Sequence, residues 1–298
     1  MNEALGNGIL LGACVVWATA LSLFKLVGKR VGPLEINLVK NSVGLLFAFA
    51  WIALSGGWQD GGVPLAMGAM FLSGLLGMAA GDTIFLSAIQ RIGVGPATVG
   101  ILATPLFSLL FETLALGYRP QPVQLAGIAM VLAGVRLALR GTKPLVAGRK
   151  ARIPVQEGAR LVVVASVLFA LGQVLARWSF DLDPDWGLAT STAVRVGGGV
   201  VGLFLFMGKS VASRVSDTLS PGPHLKPLLG GALLGTGIGM ALYQAGSRLT
   251  RATMVGSLGA TVPLFAIPAA YLIAGEKPRK GVLGGALVAV AGTALLFL

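Results

Sequence analysis

The sequence predicts an all-α polytopic membrane protein of ten transmembrane helices, arranged as two inverted five-helix repeats. Three observations carry that prediction: scarcity of charge, uncharged runs of membrane length, and a pattern of proline and glycine that occurs twice. Of 298 residues, 55% are hydrophobic and only 11% charged. Soluble domains carry roughly 25% charged residues, so there is too little polar surface to cover water-soluble domains of this size. The charges also cluster, leaving uncharged runs such as Ile92–Phe111, Pro227–Ser247, Ala252–Gly275 and Gly281–Leu298. Each approaches the ~20 residues that a helix needs to cross the hydrocarbon core.

The duplication is read from Pro105-Leu106-Phe107, followed by Gly117, Pro120, Gly127 and Gly134, against Pro263-Leu264-Phe265, followed by Gly275, Pro278, Gly285 and Gly292. One interval relates them (263 − 105 = 158; 292 − 134 = 158) and extends back to Gly77/Gly235 and Gly81/Gly239. Proline and glycine set where helices kink, end or approach closely, so shared spacing means a shared backbone plan.

In order, the predicted spans are about Leu5–Val27, Leu34–Leu54, Leu65–Ile89, Pro96–Leu116 and Val123–Leu139, then Leu161–Phe180, Trp186–Gly208, Leu225–Ser247, Ala252–Ala274 and Gly281–Leu298. Residues 1–139 form the first repeat, 140–160 a basic linker and 161–298 the second repeat. The first span is read as uncleaved: Met1-Asn2-Glu3 gives no basic n-region, and the apolar run continues past Ala20 toward Phe24. Cys14, the only cysteine, lies inside it, which excludes an intrachain disulfide and a CxxC metal site. The only histidine, His224, follows Pro221-Gly222-Pro223 and reads as a solvated loop residue. The connections are short, and Lys209–Lys226 is expected to be loop.

Lys and Arg set the orientation. The odd connections hold Lys29, Arg30, Arg91, Arg140, Lys143, the rest of the basic linker, Lys209, Arg214, Lys226, Lys277, Arg279 and Lys280; the even ones hold Arg119, Arg248 and Arg251. Basic short loops stay cytoplasmic, which places odd connections inside and both termini in the periplasm. A five-span half then enforces inversion of the second, a recurrent carrier plan with its site where the halves meet. The net charge of +12 is explained by this topology and not by nucleic acid.

These motifs resemble the ten-helix EamA-like branch of the drug/metabolite transporter superfamily. Trp17 and Lys25 in helix 1 resemble its W…K signature, and Lys40 stands where helix 2 usually carries Arg. Phe85-Leu86-Ser87-Ala88 with Thr104-Pro105-Leu106-Phe107 is similar to its helix 3–4 pattern, and Gly275-Glu276 to its terminal GE. Tyr118 departs from that pattern where the first copy would carry Glu. The resemblance implies a small-molecule carrier, typically an exporter of metabolites or amino-acid-like compounds.

Charge inside a span costs about 2.5–3.5 kcal/mol on insertion scales, so each such residue needs a partner or a wet cavity. Asp82, deep in helix 3 after Gly77-xxx-Gly81, reads either as a substrate or proton-coupling carboxylate or as the ion-pair partner of Lys40 or Arg195. Lys40 and Arg195 sit at comparable places in helices 2 and 7 and would bind a carboxylate, pair with Asp82 or, for Lys40, snorkel. Lys25 and Arg177 correspond (177 − 25 = 152) and read as helix-end anchors more than pocket lining. Glu112 lies one helical face on from Pro105 and Ser108, as a proton carrier or a structural carboxylate. Trp17, Tyr243 and Gln244 are candidate pocket residues, with Gln173 beside them; Glu276 reads as a loop boundary. Pro105 and Pro263 are expected to kink their helices and act as hinges.

The expected function is therefore a secondary transporter in the bacterial inner membrane, an exporter by alternating access, with or without proton coupling. No cofactor, metal or nucleic acid is expected; the partners are a small-molecule substrate and lipid, and a monomer suffices although a dimer is compatible. An intramembrane transferase would need a nucleophile, metal or paired carboxylates in a span, and Asp181, Asp183 and Asp185 cluster only beside Pro184 in a loop. A scaffold without transport would not require Asp82, Lys40 and Arg195.

Overall fold

The computed structural model describes residues 3–58, 63–116, 120–140, 155–249 and 258–296, and all regular structure among them is helical. Ten apolar helices follow one another among the described residues. The first half comprises α1 (Glu3–Val27), α2 (Pro33–Leu54), α3 (Pro64–Ile92), α4 (Val94–Gly100, a 3₁₀ turn Ile101–Ala103, then Thr104–Leu116) and α5 (Pro122–Leu139). The second comprises α6 (Val155–Leu182), α7 (Leu188–Met207), α8 (Leu225–Ala232, Leu233–Ile238 and Gly239–Leu249), α9 (Val262–Ala274) and α10 (Lys280–Leu296). From α1 to α8 every helix holds a stretch long and apolar enough to span; α9 and α10 are shorter apolar helices. Residues Leu46, Leu205, Leu272 and Leu287 are at least 62% exposed on the outside of the bundle, as a lipid-facing surface requires.

The two halves interdigitate. α1 packs on α8 and α9 of the other half, and α6 packs on α3 and α4 in return; α2 faces α7, and α5 faces α10. The equivalent helices pair antiparallel: Leu34 and Leu38 lie by Leu203 and Met207, while Ile52 lies by Ala189. Likewise Gly127 meets Gly292 and Gly134 meets Gly285. Antiparallel pairing of equivalent helices is what inversion of the second repeat demands. At the α5–α10 crossing the glycines are indispensable, since a Cβ on Gly134 would stand 2.5 Å from the Ala289 nitrogen. Close backbone approach substitutes here for the hydrophobic driving force that lipid removes.

Two features depart from the sequence expectation. Lys209–Lys226 is not all loop, for it contains a short helix, Val211–Leu219, whose Arg214 donates to Glu35 Oε1 at 2.9 Å. His224 is half-buried in that segment and its Nε2 lies 2.9 Å from the Thr218 carbonyl, so it is not merely solvated.

α3 and α8 both contain a π-helical stretch, Gly74–Gly81 and Leu233–Ile238. Shifted back by the repeat interval, the second falls on 75–80 (233 − 158 = 75; 238 − 158 = 80), inside the first. The duplicated plan thus includes a local slip to wider i→i+5 bonding, which leaves backbone carbonyls without ladder partners.

Candidate functional site

The first π stretch is held from α2. Asn37 and Asn41, one helical turn apart and completely buried, face it together. Asn37 Nδ2 donates to the Met78 and Ala79 carbonyls at 2.7 and 3.1 Å and to Thr83 Oγ1 at 2.9 Å. Asn41 Nδ2 donates to the Met78 carbonyl at 3.3 Å and to Asn37 Oδ1 at 3.1 Å. With α2 and α3 locked in this register, Lys40 reaches Asp82, the residue that ends the π stretch, and the two form a mostly buried ion pair. Lys40 therefore does not snorkel.

The second π stretch is held differently. Trp17 of α1 donates Nε1–H to the Gly235 carbonyl at 2.9 Å and packs on Tyr243 of α8, with ring centroids 5.3 Å apart and planes tilted by 37°. Arg195 of α7 lies between the two stretches. Gly74 gives its backbone room, since any Cβ there would collide with the Arg195 carbonyl. The Arg195 guanidinium turns toward Gly77, within electrostatic reach of Asp82. Its Nε is buried and has no hydrogen-bond partner among the described residues. Arg195 shares a small cavity with Met70, Met78, Phe180, Thr192 and Met240, which come from α3, α6, α7 and α8.

Of the candidate residues, the structure thus brings together Asp82, Lys40, Arg195, Trp17 and Tyr243, drawn from α1, α2, α3, α7 and α8. The side chains of Glu112 and Gln244 lie outside the described residues. Gln173 and Arg177 are exposed on α6. Pro105 lies inside α4, at its 3₁₀ break, whereas Pro263 is the second residue of α9 and not an interior kink. Proline is favoured there because the first-turn N–H groups have no intrahelical acceptor to lose. Pro268 lies inside α9 and removes one backbone donor from its ladder.

Sequence reasoning misplaced a second group of residues. Lys25 was expected to anchor a helix end, yet it is buried and turned inward, donating Nζ to the Ile89 and Gln90 carbonyls at 2.7 and 2.9 Å. Those carbonyls belong to the last turn of α3. Glu276, read as a loop boundary, accepts from the Val94 backbone N–H at 2.9 Å, the first of α4, and stands 3.8 Å from Lys25. A cation on the C-terminal end of one helix and a carboxylate on the N-terminal end of the next complement both helix dipoles. Together they clamp the α3–α4 corner between α1 and the α9–α10 connection. Burial pushes the Glu276 carboxyl above its ordinary value, more than Lys25 and the Val94 and Gly95 backbone pull it down. Asn37 and Asn41 were also missed; two asparagines at i and i+4 in an apolar helix were the available signal. No cluster of three or more metal-ligating side chains occurs among the described residues.

The chain belongs to the EamA-like transporter family, whose model matches it twice, at residues 4–140 and 156–298. It is a multi-pass membrane protein with the two-repeat architecture of the drug/metabolite transporters. One of 23 matching solved chains, a crystal structure described only as that of a protein, has 17% sequence identity and a TM-score of 0.62, over 98% of this chain and 96% of its own. That likeness supports the fold alone. Among curated proteins no relative matches.

Proposed function

We propose that the chain is a secondary carrier that exports small metabolites across the bacterial inner membrane by alternating access. The observation that supports this best is the Lys40–Asp82–Arg195 group. Three charges from both halves meet in the bundle interior beside two breaks in helix geometry, whereas a purely structural bundle gains nothing from burying them. Residues 1–139 and 161–298 act as the two halves and 140–160 as the cytoplasmic linker; the basic odd connections face the cytoplasm and the termini the periplasm. In that orientation the Lys25–Glu276 clamp closes the cytoplasmic end. The cavity beside Arg195 lies toward the opposite end, where α6 ends and α7 begins. One chain supplies both halves and works as a monomer, without a cofactor; Trp17 and Tyr243 form one wall, and the breaks before Pro105 and Pro263 allow α4 and α9 to flex.

Uptake and efflux in proteoliposomes across a metabolite panel, with and without a pH gradient, tests the reading. Asp82→Asn leaves Lys40 without its counter-charge and is expected to retain helicity while transport falls to the background of empty vesicles. Loss of pH-gradient dependence alone would assign Asp82 to proton coupling. If folded wild-type protein moved no compound, a scaffold would replace the carrier.

A further inference from the structure

We infer that the cavity beside Arg195 binds an amphipathic organic anion, a carboxylate carried on an apolar or aromatic body without a neighbouring amine. The inference rests on the carrier reading and gives it a substrate class.

Charge complementarity supplies the first argument. The interior group of described side chains contains two cations, Lys40 and Arg195, and one carboxylate, Asp82. Asp82 is engaged by Lys40 at contact distance, and that pair is neutral. Arg195 takes no part in a salt bridge of its own, and its Nε lacks a hydrogen-bond partner among the described residues. One positive charge is left over in a low-dielectric interior, where an uncompensated ion is strongly disfavoured. An incoming anion completes the set. A planar guanidinium suits a carboxylate, to which it presents parallel N–H donors.

The walls supply the second argument. Met70, Met78, Met240 and Phe180 line the cavity with Arg195; its volume of about 40 Å³ takes the carboxylate head, and the flexible thioethers must move aside for the apolar body. Tyr243, one turn along α8 from Met240, carries a phenol that can donate and accept hydrogen bonds beside this site. An α-amino acid fits less well. Its ammonium would need a free carboxylate, and the interior carboxylate described here already belongs to Lys40.

The test uses four compounds on one skeleton: 3-phenylpropionate, 3-phenylpropanamide, 3-phenylpropylamine and phenylalanine. Binding to purified wild-type protein is measured by titration calorimetry. The expected result is tighter binding of 3-phenylpropionate than of any of the other three, by about tenfold or more. Arg195→Gln is expected to abolish that preference, and Arg195→Lys to keep part of it; thermal melts of both variants control for folding. Preference for the amine or the amino acid, a carboxylate preference that survives Arg195→Gln, or no binding of the carboxylate would each overturn the inference. Counterflow of neutral and cationic metabolites in the same preparation separates the two levels. If those move while 3-phenylpropionate neither binds nor moves, the carrier reading stands and the anion site falls; if nothing moves, both fall.

Discussion

The two halves share a backbone plan down to matching π stretches, but their polar wiring differs. In the first half Lys25 turns inward and caps α3; its counterpart Arg177 points away from the bundle on α6. The first π stretch is held by two buried asparagines with three hydrogen bonds to its carbonyls, and the second by a tryptophan with one. Duplication therefore preserved what packing demands, glycine contacts and the place of the π stretches, and left polar contacts free to diverge. That divergence makes the two ends of the bundle unequal. Among the described residues three ion pairs join elements at the basic end: Lys25–Glu276, Arg91–Glu157 and Arg214–Glu35. Only the first is largely buried on both sides, so only it is expected to matter much for stability.

Replacing each member of the Lys25/Arg177 pair by Met gives the sharpest contrast. Lys25→Met keeps the stem but removes the donor from two helix-end carbonyls and strands Glu276; breaking such a buried contact costs about 3–5 kcal/mol. Arg177→Met is expected to stay within about 0.5 kcal/mol of wild type, as surface substitutions do. Reversible unfolding in mixed micelles would read both values. Equal losses would mean that Arg177 has a buried role in another conformation of the carrier and that the asymmetry belongs to one state only.

The two halves and the ten apolar helices were legible in the sequence, because hydropathy and glycine–proline spacing report directly on burial and backbone approach. The partnership of Asp82 with Lys40 was among the stated alternatives; choosing it over Arg195 required the rotation of α2 against α3, which hydropathy does not encode. The π stretches were invisible for a related reason. A slip from i→i+4 to i→i+5 bonding changes no residue type, and its trace lay in the partners of the freed carbonyls, Asn37, Asn41 and Trp17, whose packing reading is equally natural. Lys25 and Glu276 were misjudged because helix-end charges normally reach water. Their contacts cross 64 and 182 residues of sequence, distances at which no local pattern helps.

A smaller contrast separates the π stretches themselves. Asn37→Ala removes contacts to two buried carbonyls and should cost about 1–3 kcal/mol. Trp17→Phe keeps the aromatic packing on Tyr243 and loses one hydrogen bond, about 1 kcal/mol. Amide hydrogen exchange localises the effect: the first substitution should speed exchange around Met78–Thr83, the second around Gly235. A larger loss from Trp17→Phe than from Asn37→Ala would reverse the ranking and make the second half the more tightly latched.

The smallest effect tests the sign of electrostatics at the α3–α4 corner. Burial raises the Glu276 carboxyl above its ordinary value near 4.5, so the folded state holds this proton to higher pH than the unfolded chain does. The resulting stabilisation is fully present below the unfolded value and is lost as pH rises through the folded one. Glu276→Gln cannot titrate and should not follow that slope. Melting temperatures of both proteins across about pH 4–8 are expected to show wild type losing ground to the variant as pH increases. The opposite trend would mean that Lys25 and the Val94 N–H outweigh desolvation. The corner would then be an ion-pair latch, strengthened by deprotonation, and opening it during transport would have to break a charge pair at neutral pH instead of a hydrogen bond.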